Sequence, residues 1–257
     1  MSSTLYERTT YLNPDIQYLF NNSIKEYDLS SAGLNIIKEF ELVPEDIIKK
    51  LELMDKKSRN EEIGMMQRND HTLRDNIERG FVEARRRFFE ANDITDDDIL
   101  SIKKDAIFII DKECVNNTFG YLNFRVKNHY LGFLYLNRVE FYYKDRDSEL
   151  DVKNLGTNFY NYHKDYMLDF IKDYFTMNIY SEYKIMVNFI TDFIKHYRNR
   201  ELDINYYRQL DIDSYFSVNI DGSLSKFEYI SDEDIEKADI TYNYFSYLIP
   251  MVNIVLG

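Results

Sequence analysis

The stretch "IKEYDLSSAGLNIIKEF", residues 24–40, decides how this chain is read. "IKEYDL" has the alternation of a short strand, and it delivers one carboxylate, Asp28, at the strand's end. Small residues follow at once. Then "SAGLNIIKEF" carries Leu34, Ile36, Ile37 and Phe40 near helical spacing, which predicts a helix. Asp28 on its own reads as a helix N-cap, but Ser30 or Ser31 could fill that place equally well. The carboxylate therefore asks for another use.

Outward from this stretch, the flanks extend an α+β pattern. "NPDIQYLFNNS" (13–23) reads as a short helix or lead-in. "VPEDIIKKLELMDKKSRNEEIGMMQ" has Pro44 near a helix start and acids in the first turn, which suits the helix dipole. "HTLRDNIERGFVEARRRFFEAN" puts Leu73, Ile77, Phe81, Ala84 and Phe88 on one stripe of a longer helix. The period then changes. Ile and Phe enrichment over 99–110, in "DDDILSIKKDAIFIIDK", predicts a strand that contains Asp105. "FGYLNFRVKNHYLGFLYLNRVEFYY" alternates as a hairpin or meander. From about residue 160 two helical segments follow, and the tail returns to short strands around Asp221-Gly222. The expected class is α+β: an antiparallel sheet backed by helices, with a helical C-terminal part. The expected division is 1–150, with a short helical insertion at about 42–92, and 151–257, mainly helical with a short β tail.

Composition narrows the function. The chain has 257 residues, enough for one large domain or two small ones. Glycine and proline number only 8 and 3, so no Gly-rich phosphate loop is present. One cysteine, Cys114, forms no internal disulfide, and the four histidines (His71, His129, His163, His196) have no zinc-ligand spacing. There is no long apolar run, and "MSSTLYERTT" lacks the basic-then-apolar pattern of a signal peptide, so the expectation is a cytoplasmic protein with no membrane partner. The net charge of −13 counts against uniform nucleic-acid binding, because a polyanion is repelled at long range. It leaves room for a local basic groove. From Tyr121 to Arg146, Arg125, Lys127, Arg138, Lys144 and Arg146 outnumber Glu140 and Asp145, and this segment is the best candidate surface for phosphate.

The decisive feature is a pair. If the strands carrying Asp28 and Asp105 are neighbours in one sheet, their carboxylates converge on divalent metal. Phosphoryl transfer commonly uses two hard cations roughly 3.5–4 Å apart, held by carboxylate oxygens. Here the segments resemble the palm of template-dependent DNA polymerases, most nearly the family B type, in the family's chain order. "YDLSSAGL" is similar to the first palm motif, with the metal-binding aspartate at Asp28 and the serine three residues later at Ser31. "KKDAIFI" is similar to the third motif, with Asp105 on its second aspartate. "KNHY" (127–130) resembles the basic-and-tyrosine motif placed against the duplex. "DVKNLG", "HKDYMLDFI" and the segment from Ile185 to Leu210 resemble the thumb entry and thumb helix. The likeness spans roughly residues 24–210. Gly33 stands where the family has a bulky sugar-checking residue, Lys103 stands on the third motif's first aspartate, and the fingers motif is absent.

The resemblance implies nucleotidyl transfer on a primer–template, in a minimal phage or viral protein working in the host cytoplasm. Asp28 and Asp105 would be catalytic and hold Mg²⁺ (or Mn²⁺). Ser31, Arg68, Arg74 and Arg79 would meet the nucleoside triphosphate, with Arg85 to Arg87 as further candidates, although that triplet reads first as a solvated helix face. Arg125, Lys127, Tyr130 and Arg138 would meet nucleic acid. A protein partner would supply missing polymerase parts. The alternative is a non-catalytic palm relic, or an unrelated α+β module, acting through a partner protein in phage replication or host interaction. Asp96-Asp97-Asp98 reads as a solvated turn rather than a metal site.

Overall fold

The structure is a computed structural model that describes residues 4–136, 138–144, 149–154, 161–178, 183–202, 209–210, 216–220 and 223–226, with single residues at 231, 233 and 237. The chain divides into two compact units, one of residues 1–16 and 22–129, the other of 17–21 and 130–257.

The first unit is built on antiparallel strands. These are β1 (Thr10–Leu12), the C-terminal part of β2 (Tyr18–Leu29), β3 (Ile99–Lys103), β4 (Ala106–Ile110), β5 (Thr118–Phe119) and the first half of β6 (Leu122–Leu136). Their order is β1-β3-β4-β2-β6, with β5 pairing to β6. Four helices belong to this unit: α1 (Ala32–Glu39), α2 (Glu45–Glu52), α3 (Lys56–Asn69) and α4 (His71–Ala91). The α+β class expected from the sequence is what the chain forms.

The stripe on α4 explains how helices and sheet share a core. Leu73, Ile77, Phe81, Ala84 and Phe88 are all buried, and Phe88 stacks on Phe124 of β6 at 4.4 Å between ring centroids. Each large apolar side chain buried in this way contributes about 1.5–3 kcal/mol. Helix α1 meets α4 at Gly80, where any Cβ would lie 2.3 Å from Cγ2 of Ile36, so the approach tolerates no side chain. Asp70 caps α4 by accepting from the Leu73 amide, and Asp55 caps α3 by accepting from the Lys57 and Ser58 amides.

Three local expectations are corrected. Residues 18–23, read as part of a helix or lead-in, are the start of β2. The segment after Pro44 is two helices rather than one, because Asp55 starts a new one. Asp105 lies in the tight turn between β3 and β4, not inside a strand, and Lys104 beside it takes a left-handed φ of 52°.

In the second unit, the second half of β6 pairs with β7 (Val139–Lys144), and β7 pairs with β8 (Glu149–Lys153), all antiparallel. Helices α5 (Asn161–Asn178) and α6 (Tyr183–Arg198) follow. β7, which the sequence reading placed before its division at 150, thus groups with these helices. Aromatic stacking organises this core: Tyr143 and Phe175 lie 5.2 Å apart at 10°, and Phe170 packs on Phe193 at 4.5 Å. Gly132 leaves room for Phe175, whose ring a Cβ would approach to 2.6 Å. β9 (Gln209–Leu210), β10 (Phe216–Ile220) and β11 (Ser223–Lys226) form a small sheet with β10 central. The Asp221-Gly222 turn, Asp145, Arg146, most of the 211–257 tail and the side chains of His163 and Asp165 lie outside the described residues.

Candidate functional site

The pairing of β2 with β4 sets the site. Its register puts Asp28 opposite Ala106, the residue after Asp105. The Leu29 amide donates to the Asp105 carbonyl at 2.9 Å, so Asp28, near the end of β2, and Asp105, in the β3–β4 turn, sit on adjoining backbone. Next to β2 on its other side lies β6, where the Ser30 amide donates to the Asn123 carbonyl at 2.9 Å. Period-two alternation on β6 then turns Arg125 and Lys127 to one face. Arg125 Nη2 lies 3.8 Å and Lys127 Nζ 3.9 Å from the Asp28 carboxylate. Residues expected in two separate roles, catalysis and phosphate contact, therefore meet in one place.

The acids are not electrostatically at rest. Burial raises the Asp28 pKa above the usual carboxylate range, and the negative charges of Asp105 and Glu26 push the same way against Lys127 and Arg125. Burial works against the Lys127 ammonium too, but Glu26, with Asp28 and Asp105, outweighs it and holds that pKa above normal. Glu26 is a participant that the sequence reading missed. It is 2% exposed, takes Asn128 Nδ2 at 2.6 Å, and has Lys127 Nζ at 3.3 Å. Its signal was present: positions 26 and 28 alternate onto the same face of one strand.

The turn that carries Asp105 is tied by its backbone. The Lys104 amide donates to the Thr9 carbonyl at 2.8 Å, and the Lys104 carbonyl accepts from Arg85 Nη1 at 2.6 Å. Arg85 is 2% exposed, its Nε donates to the Tyr6 carbonyl at 2.8 Å, and burial depresses its pKa to about 10. Of the "RRR" triplet, this one residue leaves the surface to hold the site's turn. Arg86 pairs with Glu83 and Glu90, and Arg87 with Glu83 and Glu39.

The arginines expected at the triphosphate have local neighbours of their own. Arg79 donates to Asn76 at 2.6 Å, Arg74 lies 3.5 Å from Asp75, and Arg68 is exposed on α3. The arginine that reaches the motif serine is Arg59, whose Nη2 donates to Ser31 Oγ at 3.4 Å. Ser31 precedes α1 with a left-handed φ of 44°, and its hydroxyl makes no capping bond. Tyr130 and Arg138 belong to the second unit. Tyr130 is fully buried and its hydroxyl donates to Asp151 at 2.6 Å, so its ring is not a stacking surface; Arg138 is exposed with a φ of 67°. Asp98 closes a capping box with Thr95 and pairs with Lys112 at 2.8 Å, so the aspartate triplet forms a capped turn.

A divalent cation fits Asp28 and Asp105 in kind. Carboxylate oxygens are the hard donors Mg²⁺ takes, and it is commonly bound through one or two carboxylates plus substrate phosphates and water. Burial, with some repulsion from Asp105 and Glu26, raises the Asp28 pKa, and a bound cation would oppose that rise. Among the described residues no group of three or more His, Cys, Asp or Glu is arranged to hold a metal.

No curated protein matches the chain. Among solved structures, it is similar to the family B DNA polymerase from the hyperthermophilic archaeon Pyrobaculum calidifontis, at 11% identity and a TM-score of 0.47, over 95% of this chain and 47% of that one. Among the described residues no helix is long and apolar enough to cross a membrane. Over its whole length, residues 1–257, the chain matches one family and belongs to it: that of the bacteriophage PBS1 gene 130 protein.

Proposed function

We propose that this phage protein is a polymerase palm-like component that handles a primer–template in the host cytoplasm, with nucleotidyl transfer at Asp28 and Asp105 supported by Mg²⁺ or Mn²⁺. The observation that supports this reading is the β2–β4 register, which pairs Asp28 with Ala106, the residue next to Asp105. Arg59, at the motif serine, takes the triphosphate role first assigned to Arg68, Arg74 and Arg79. Arg125 and Lys127 meet phosphate oxygens once the acids are neutralised by metal. A second protein supplies the fingers.

One observation favours a second reading, a non-catalytic palm relic acting through a partner protein. Two cations already lie within 4 Å of Asp28, where they substitute for a metal's charge. Direct Mn²⁺ binding, followed by electron paramagnetic resonance, separates the two readings. The catalytic reading expects Mn²⁺ uptake that is lost in both Asp28→Ala and Asp105→Ala, and primer extension reduced at least about a hundredfold in the same variants. Mn²⁺ uptake that is absent from the wild type, or unchanged in both variants, overturns it in favour of the relic.

A further inference from the structure

Helix α3 gathers several cations on one face of this acidic chain. Arg86, Arg87, Lys38, Lys49, Lys50 and Lys112 are each matched with a carboxylate. Lys56, Lys57 and Arg68 form no ion pair among the described residues, and together they line an open groove of about 610 Å³. Asn60, Glu61 and Gly64 complete its wall. Glu62, which could have answered one of them, is instead taken by Lys50 at 2.8 Å.

Two details of this helix work against folding. Lys56 and Lys57 occupy the first turn of α3, which has no acidic residue, so both charges face the positive end of the helix dipole. Gly64 sits in the helix interior, where only proline is a worse helix former. Packing does not ask for it: a Cβ at Gly64 would meet nothing within 4 Å. Gly80 shows the contrast, since there the neighbouring helix forbids a side chain. Space left bare between unpaired cations is what a closely approaching anionic strand would use.

We infer that the Lys56–Lys57–Gly64–Arg68 face of α3 is a docking surface for a single nucleic-acid strand, held by its phosphate backbone. Three cations against one carboxylate, Glu61, line the groove, a charge balance that suits the phosphates of a polyanion. Binding here is indifferent to sequence and steeply dependent on salt. The inference rests on the reading that the chain handles nucleic acid, but not on chemistry at Asp28.

Fluorescence anisotropy with a labelled 20-nucleotide single strand, without divalent metal, tests it. Lys49→Ala, on the exposed face of α2, should bind like the wild type. Lys57→Glu with Arg68→Glu should weaken binding about tenfold or more and flatten the salt dependence, by about 0.7 in log–log slope per lost phosphate contact. Gly64→Ala gives an opposed pair of signs: a melting temperature raised by a few degrees and a weaker complex. A wild type that binds while the double variant binds equally well overturns this surface and leaves the Asp28–Asp105 reading intact. Equal binding to polyglutamate of matched charge assigns the face to an acidic protein and also overturns it, as does failure of the wild type to bind the strand at all. Loss of Mn²⁺ uptake questions only the metal site.

Discussion

Glu26 in the first unit and Glu140 in the second are both buried acids on β-strands, 2% and 1% exposed, yet their surroundings differ in kind. Glu140 takes the Tyr142 hydroxyl and the Asn154 amide, each at 2.7 Å. Its neighbours Tyr130, Phe133 and Tyr142 pack ring against ring. Glu26 shares Lys127 with Asp28, and Arg125 stands beside them, half open to solvent. A buried carboxylate that takes a hydroxyl and an amide among aromatic rings braces a core. One acid tethering a cation that a second acid also attracts leaves charge to spare, and a charged ligand can redistribute it.

The largest expected effect comes from breaking the brace. Glu140→Ala strands the Tyr142 hydroxyl and the Asn154 amide and opens a cavity, so urea unfolding should show a loss of about 3 kcal/mol that hardly changes between low and high salt. A loss that shrinks steeply in salt would mean that Glu140, too, acts mainly through charge. Lys127→Met is the matching test in the first unit. It removes a charged partner from Glu26 and should cost about 1–2 kcal/mol, part of which fades as salt screens the exposed side of the cluster. If both variants respond to salt alike, the contrast between the regions fails.

The smallest effect is also the most specific. Because the folded Asp28 pKa is raised, the folded state favours the protonated carboxyl. That contribution is fully present below the unfolded pKa and is lost as pH rises through the folded one. Asp28→Asn should therefore gain on the wild type in urea midpoint as pH climbs from about 3 towards neutrality. A difference that stays flat over this range would show that neither burial nor Asp105 presses on Asp28. Adding Mn²⁺ at neutral pH should shrink the same difference if the cation settles on the pair.

Much of this was legible residue by residue. The run from Ile24 to Phe40 has a strand's alternation and then a helix's period, and both elements form as read. The α4 stripe buries as its spacing predicts, since the face of an isolated helix is set by its own sequence. The β3–β4 turn was harder: "SIKKDAIFII" is apolar on both sides of two lysines, and only the pairing of β3 with β4 shows that Lys104 and Asp105 turn rather than continue. The break between α2 and α3 had a signal in Asp55-Lys56-Lys57-Ser58, where aspartate accepts from the two following free amides.

The cations show where local reading ends. Arg68, Arg74 and Arg79 were the expected phosphate ligands, while Arg59 reaches Ser31 and Arg85 holds the Asp105 turn. Nothing in a helical sequence tells which arginine points at a turn 28 or 19 residues away in the chain. By itself the sequence determined the α+β class and the order of its segments, because strand alternation and helix period are properties of neighbouring residues. Tertiary structure alone decided that Glu26, Arg59, Arg85 and Lys127 serve this place, because strand register and helix packing choose which distant charges meet.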